Sequence, residues 1–255
     1  MSNPDRFRLD GHVAVVTGAG AGIGRGIATM FAGAGAAVVV SDLKAQAAEA
    51  VAGEIARAGG DAVAMACDVT DEEKLQTLVD TATETFGKLS LLVNNAGGGG
   101  PKPFGMPMKD FRWAYELNLF SVFRLTQLAA PHLAAAGDGA VLSISSMAGE
   151  NRNARMASYA SSKAALNHLT RNIAFDLGAM GVRVNAIAPG AIRTHALATV
   201  LTPEVEKAML QHTPIRRLGE VEDIANAALF LCSPAASWIS GQILTVSGGG
   251  TQELD

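Results

Sequence analysis

Short apolar runs and longer amphipathic segments alternate along the 255 residues of this chain. The apolar runs lie at residues 12–16, 37–41, 62–66, 89–93, 140–144, 183–187 and 242–246. They are rich in Val, Ile, Leu and Ala without polar alternation, the pattern of parallel strands covered on both faces. Between them, residues 22–34, 45–58, 71–86, 109–136, 157–177 and 221–231 carry apolar positions at helical spacing. Strand followed by helix, repeated along the chain, predicts an α/β fold. The expected architecture is a doubly wound (Rossmann) seven-stranded parallel sheet with helices on both faces. No linker, charge block or repeat divides the chain, so residues 1–255 are read as a single domain. The longest irregular stretches, 97–107, 148–156 and 190–203, follow strands, at the carboxyl edge where such sheets bind ligands.

Composition narrows the picture. Hydrophobic residues make up 49% and charged residues 17% of the chain, a balance that excludes disorder. A net charge of −4 provides no cationic excess for nucleic acid or an anionic membrane surface. So low a charge content also points to surface buried between subunits. Cys67 and Cys232 form no CxxC pattern, and the five histidines show no ligand spacing, so neither a disulfide framework nor a metal is expected. Residues 1–11 carry Asp5, Arg6, Arg8 and Asp10 and do not read as a signal peptide. The uncharged stretch 224–252 is interrupted by Ser-Pro, Ser-Gly-Gln and Ser-Gly-Gly-Gly, so it reads as a buried helix, loop and strand rather than a membrane span. A soluble, cytoplasmic protein in a reducing compartment is expected.

Candidate chemistry begins where the first strand ends, in Thr17-Gly18-Ala19-Gly20-Ala21-Gly22-Ile23-Gly24. Glycines between a strand and a helix let backbone approach a pyrophosphate, whose charge the helix N-terminus stabilises. Asp42, at the tip of the second strand, can accept hydrogen bonds from both ribose hydroxyls and repel a 2′-phosphate, which favours NAD over NADP despite nearby Lys44. The plain alternative is a tight turn with a capping Asp. Asp68, in Cys67-Asp68-Val69, either accepts from an adenine amino group or caps the 71–86 helix. Asn94 and Asn95, before Gly97, either hold loop backbone or touch ligand.

A second constellation follows the fifth strand. Ser146 precedes Tyr159 by thirteen residues, and Lys163 lies four further on. The i, i+4 spacing puts Tyr159 and Lys163 on one helical face, where an ammonium is expected to lower the phenol pKa. A tyrosine so tuned exchanges a proton with an alcohol or carbonyl, and Ser146 can hold the substrate oxygen. In isolation, a Tyr and a Lys at this spacing would more often be a packed ring beside a surface cation.

Taken together, Thr17-Gly18-x-x-x-Gly22-x-Gly24, Asn94-Asn95-Ala96-Gly97, Asn118, Ser146, Tyr159-x-x-x-Lys163 and Pro189-Gly190 resemble the short-chain dehydrogenase/reductase family over essentially the whole chain. The resemblance implies Tyr159 as general acid/base, Ser146 as substrate orienter, Lys163 as ribose ligand, and Asn118 as holder of a water in a proton relay. It implies NAD contacts from Gly18, Gly22, Ile23, Gly24, Asp42, Leu43, Asp68, Val69, Asn95, Gly97, Tyr159, Lys163, Ile192 and Thr194. Residues 97–104, 211–217 and 251–254 are similar to those of the bacterial NAD-dependent hydroxysteroid dehydrogenases. That implies a homotetramer oxidising the 7α-hydroxyl of bile acids or related steroids. A 3-oxoacyl-carrier-protein reductase is the alternative, but such enzymes commonly carry a basic residue in the glycine turn. A non-catalytic NAD sensor usually lacks the Tyr or the Lys. Phe104, Met106, Met108, Leu197, Val200, Leu201, Val205 and Met209 suit a sterol body, and their spacing from 197 to 209 predicts an amphipathic lid helix. The same face could equally pack on a neighbouring subunit. Arg193 and His195 either face substrate or form a solvated pair.

Overall fold

The computed structural model describes residues 3–198 and 201–250. Seven strands form one parallel sheet in the order β3-β2-β1-β4-β5-β6-β7. They are β1 Val13–Val16, β2 Ala37–Asp42, β3 Ala62–Ala66, β4 Leu91–Asn94, β5 Ala140–Ile144, β6 Arg183–Pro189 and β7 Ile243–Val246. Each lies within two residues of its expected bounds. Central strand β1 is buried throughout and pairs on both sides, Val15 with Val39 of β2 and with Leu92 of β4.

Alternate residues of β1 serve two separate cores. Ala14 and Val16 pack with Ile27 and Phe31 of α1 (Gly22–Gly33), Val51 and Ile55 of α2 (Ala45–Arg57), and Ile224 and Ala228 of the later helix Val221–Cys232. Val13 and Val15 pack with Leu75 and Leu78 of α3 (Glu72–Phe86) and with Leu125 and Leu133 on the opposite face. Full burial of each such aliphatic side chain stabilises the fold by about 1.5–3 kcal/mol, which explains why the strands read as unbroken apolar runs.

Two expectations are corrected. The 109–136 helix is α4 (Met108–Tyr115), a π-helical turn over Glu116–Phe120, and α5 (Ser121–Ala136). Within that turn the Ser121 N–H donates to the Glu116 carbonyl, five residues back. The single 197–209 lid helix is instead two helices, α7 (His195–Ala198) and α8 (Pro203–Gln211), ahead of α9 (Val221–Cys232). Proline has no N–H to give a preceding turn, so Pro203 starts α8, and the Thr202 hydroxyl caps it by accepting from Val205 N at 3.3 Å. Val200 and residues 251–254 lie outside the described residues. Long α6 (Ala157–Gly178) runs along the second core.

Among the described residues, no helix is long and apolar enough to cross a membrane, and no His/Cys/Asp/Glu group could hold a metal ion. Both cysteines are free and buried.

At the edge of the sheet away from the strand ends, buried His12 ties three segments together. Its Nδ1 meets Ser90 Oγ at 3.1 Å, its Nε2 meets Asp138 Oδ2 at 3.3 Å, and Ser90 Oγ accepts from Val13 N at 3.0 Å. Burial holds the imidazole pKa below its ordinary value; Asp138 pulls it up, while Lys88 and Arg183 push it further down. The unfolded chain therefore binds a proton more readily, and stability from the neutral ring, present above about pH 6.5, is lost as pH falls through the lowered folded-state value. His12→Ala is expected to lower stability at pH 7 by about 1–3 kcal/mol through its two lost hydrogen bonds. In denaturant titrations at pH 7 and pH 5, its difference from wild type should narrow at the lower pH; a constant difference would mean that the ring does not titrate on folding.

Candidate functional site

The glycine turn is fixed by the strand beside it. The Thr17 hydroxyl accepts from Asn95 N and Ala96 N, each at 3.0 Å, and donates to Val93 O at 3.3 Å. Asn95 Nδ2 returns hydrogen bonds to Thr17 O at 2.8 Å and Gly18 O at 3.0 Å. Gly18 and Gly22 take positive φ, and a Cβ on Gly24 would lie 2.3 Å from Gly18 O, so α1 can start against the turn only with glycine there. No side chain caps α1 and no acidic residue stands in its first turn, so its leading N–H groups and positive dipole end are open to an anion.

Asp42, half-buried, accepts from Gly20 N at 2.9 Å and from Lys44 N at 3.0 Å, and so braces the outer side of the same turn. Leu43 beside it is exposed and Val69 is buried. Of the two readings of Asp68, helix capping falls instead to Asp71, which accepts from Glu73 N and Lys74 N. Asp68 is exposed and accepts from the Thr70 amide and hydroxyl. Asn95 holds loop backbone, as above, and also lines the cavity described below, while Asn94 is buried against Thr126.

Lys163 is only 4% exposed, and its ammonium donates to the Ile144 carbonyl at the end of β5 at 2.8 Å. No carboxylate pairs with it among the described residues, and desolvation lowers its pKa to about 8. Its Nζ stands 5.9 Å from the centre of the Tyr159 ring, so the helical spacing does bring the two together. The expected direction of the phenol shift is not found. Burial raises the Tyr159 pKa above its ordinary value, and a hydrogen bond with Ser146 offsets this only in part. The reason is physical: desolvation of the phenol itself is the largest effect, and an ammonium 5.9 Å from the ring centre does not overcome it. The Ser146 hydroxyl also accepts from Ala148 N at 3.1 Å.

Asn118 sits in the π turn with no solvent exposure. Its Oδ1 accepts from Gly98 N at 2.9 Å, and its Nδ2 donates to Gly98 O at 2.8 Å and Ser162 Oγ at 3.1 Å. The amide therefore clamps the loop after β4 onto α6. This pairing joins positions far apart in sequence and has no local signal.

These residues surround a cavity of about 510 Å³. Its lining includes Gly22, Ile23, Asn95 and Gly97 beside Ser146, Tyr159 and Lys163, with Ile192 and Thr194 closing against the glycine turn. Thr194 caps α7 by accepting from Leu197 N and reaches back towards Gly22. Asp42, Leu43, Asp68 and Val69 lie outside the cavity, around the ends of β2 and β3; Gly18, Gly24 and Asn118 support its walls from behind. Sequence reading missed Gly99, whose φ is +137° and where a Cβ would come within 2.6 Å of the Tyr159 ring. It also missed Asn151, whose Nδ2 is buried and unpaired among the described residues. Arg193 is neither free nor turned to a ligand: it pairs with Glu206 of α8 at 2.9 Å and with Glu220 at 3.4 Å.

A family profile described as enoyl-(acyl carrier protein) reductase matches residues 18–251. The chain belongs to the short-chain dehydrogenase/reductase family. It is 65% identical over 255 residues, all of both chains, to the 7alpha-hydroxysteroid dehydrogenase of Escherichia coli (strain K12). It is 42% identical over 241 residues to the cis-4-hydroxycyclohexanecarboxylate dehydrogenase of Sinomonas cyclohexanicum, covering 94% of this chain and 96% of that one. Among solved structures, a 7 alpha-hydroxysteroid dehydrogenase complexed with NADH and 7-oxo glycochenodeoxycholic acid superposes with a TM-score of 0.97 at 65% identity, covering both chains completely.

The clamp on Gly98 yields a test independent of turnover. Asn118→Ala removes three hydrogen bonds, one of them fully buried, and is expected to cost roughly 2–4 kcal/mol of stability in urea titrations. A cost below 1 kcal/mol would mean that the loop after β4 is held by other contacts.

Proposed function

We propose that this chain catalyses the reversible, NAD-dependent oxidation of the 7α-hydroxyl of bile acids to the 7-ketone. One observation carries the reading: Tyr159, Ser146 and Lys163 converge in a cavity continuous with an uncapped helix N-terminus, in a chain that matches a 7alpha-hydroxysteroid dehydrogenase from end to end. The residues present fit the dinucleotide. The open N–H groups of α1 suit a pyrophosphate, Asp42 suits ribose hydroxyls, and Ile192 and Thr194 suit the carboxamide end. NAD, when bound, accepts the hydride from the carbon that bears the hydroxyl.

The chain's own residues manage the proton. Tyr159 Oη takes the hydroxyl proton of the substrate, and Ser146 Oγ holds the same oxygen in line. Lys163, anchored at Ile144 O, places a positive charge beneath the phenol ring and is available to the nicotinamide ribose. Asn118 keeps Gly97–Gly99 against the tyrosine and so positions the proton-transfer site.

Two separate exposed apolar faces support a homotetramer. Phe120, Phe123 and Phe175 lie on α5, its preceding turn and α6, with Phe175 90% exposed; Trp238, 99% exposed, and Leu244 lie by the free edge at β7. Two self-complementary interfaces related by different two-fold axes close four copies. Free buried thiols suit the reducing cytoplasm, the proposed location.

Oxidation of cholate and chenodeoxycholate with NAD, followed at 340 nm, is expected to exceed that of the 7β epimer by at least about 10²-fold. Equal rates on both epimers, or none while acetoacetyl thioesters are reduced, would favour the acyl-reductase alternative. Tyr159→Phe should lower kcat at least about 10²-fold while NAD still binds. Because the phenol pKa is raised, its base form is scarce at neutral pH, so kcat/KM for oxidation should rise from pH 6 towards pH 8, above which the Lys163 ammonium loses its proton and the rise should flatten. Asp42→Ala should raise the KM for NAD about tenfold or more and narrow the preference over NADP, since charge-assisted hydrogen bonds to the ribose are lost.

A further inference from the structure

The proposed function leaves the mouth of the cleft unassigned. Two loops flank it, residues 97–107 after β4 and 148–156 after β5, and their charged residues are Lys102, Arg152 and Arg155 against a single Glu150. They leave the cavity lining at Gly99 and Ser146 and are tied to each other beyond it: Lys102 N donates to Arg155 O at 2.7 Å. Arg155 holds φ at +61°, one of two non-glycine residues in the left-handed region among the described residues. Such a backbone is unfavourable and persists where surrounding structure imposes it, as at active sites and ligand clamps. Lys102 is committed to Asp110 at 3.0 Å, whereas the exposed Arg155 guanidinium has no carboxylate partner among the described residues. In the first loop, two residues from Lys102, Phe104 is 97% exposed, so the tied loops carry both an apolar ring and a cation.

We infer that Arg155, braced by Lys102, recognises the anionic tail of the substrate, so that the enzyme prefers carboxylate- or sulfonate-bearing steroids to uncharged ones. The inference rests on the proposed steroid activity and adds a specificity determinant at the far end of the molecule from the reacting hydroxyl. The chemistry fits: the apolar rim meets the ring system, and the guanidinium meets an anion through paired N–H donors. At an exposed site the gain is modest and screened by salt.

The test compares wild type, Arg155→Lys and Arg155→Glu with NAD on cholate, taurocholate and the methyl ester of cholate. Charge reversal should lower kcat/KM for taurocholate and cholate roughly three- to tenfold, through KM. The methyl ester should change less than about twofold, Arg155→Lys should fall between wild type and Arg155→Glu on the two anions, and added salt should erase the wild-type preference for the anions. Equal losses on charged and uncharged substrates, or no loss on either, would overturn the inference while leaving the steroid activity standing. Failure of the wild type to oxidise any of the three would overturn both.

Discussion

Everything at the candidate site is referenced to the knot between Thr17 and Asn95. The sheet order reverses direction between β1 and β4, so their chains leave the sheet on diverging paths and a crevice opens between them. A crevice floored by loop backbone would be soft. Here the Thr17 hydroxyl takes both N–H groups that start the second loop, while the Asn95 amide takes both carbonyls that end the first strand. The two diverging segments become one rigid ledge. The glycine turn, the start of α1 and the Gly97–Gly99 wall are then held at fixed distances from one another.

The second constraint is a buried cation without a counter-ion. An ammonium so far from water is costly to bury, and among the described residues a single main-chain carbonyl accepts its hydrogen bond. The site tolerates that cost because α6 is anchored elsewhere by its apolar face and by the Ser145 hydroxyl bonded to Asn167. An ionisable group kept under such conditions is a mark of function rather than of stability. The electrostatics of the cleft are thus those of a site poised for partners, not of one already at rest.

Much of this was legible in the sequence, for identifiable reasons. Parallel strands covered on both faces must be apolar at every position, so β1, β4 and β5 announced themselves. The glycine turn and the Tyr159–Lys163 pair were readable because strand, turn and helix geometry constrains residues close in sequence. What failed depended on competition or on distance. Apolar spacing through 197–209 was counted without giving Pro203 the power to start a new helix. Asp68 and Asp71 both had capping chemistry, and only the helix start decided between them. The phenol shift was assigned from the neighbouring charge alone, whereas burial acts on both groups at once. The Asn118–Gly98 clamp and the Arg193–Glu206 pair join residues that no local pattern connects.

The π turn at Glu116–Phe120 works as a phase adjuster. An α-helix advances about 100° per residue, and the wider turn absorbs one residue beyond that count. Were the same residues wound as uninterrupted α-helix, every position after Phe120 would rotate by about that angle, and Leu125, Ala129 and Leu133 would leave the sheet. The extra residue separates two demands on one rod of chain. The first half is free to aim Asn118 at the loop after β4, while the second keeps its apolar stripe on the core. The rod therefore belongs to the site at one end and to the scaffold at the other, and neither assignment dictates the rotation of the other.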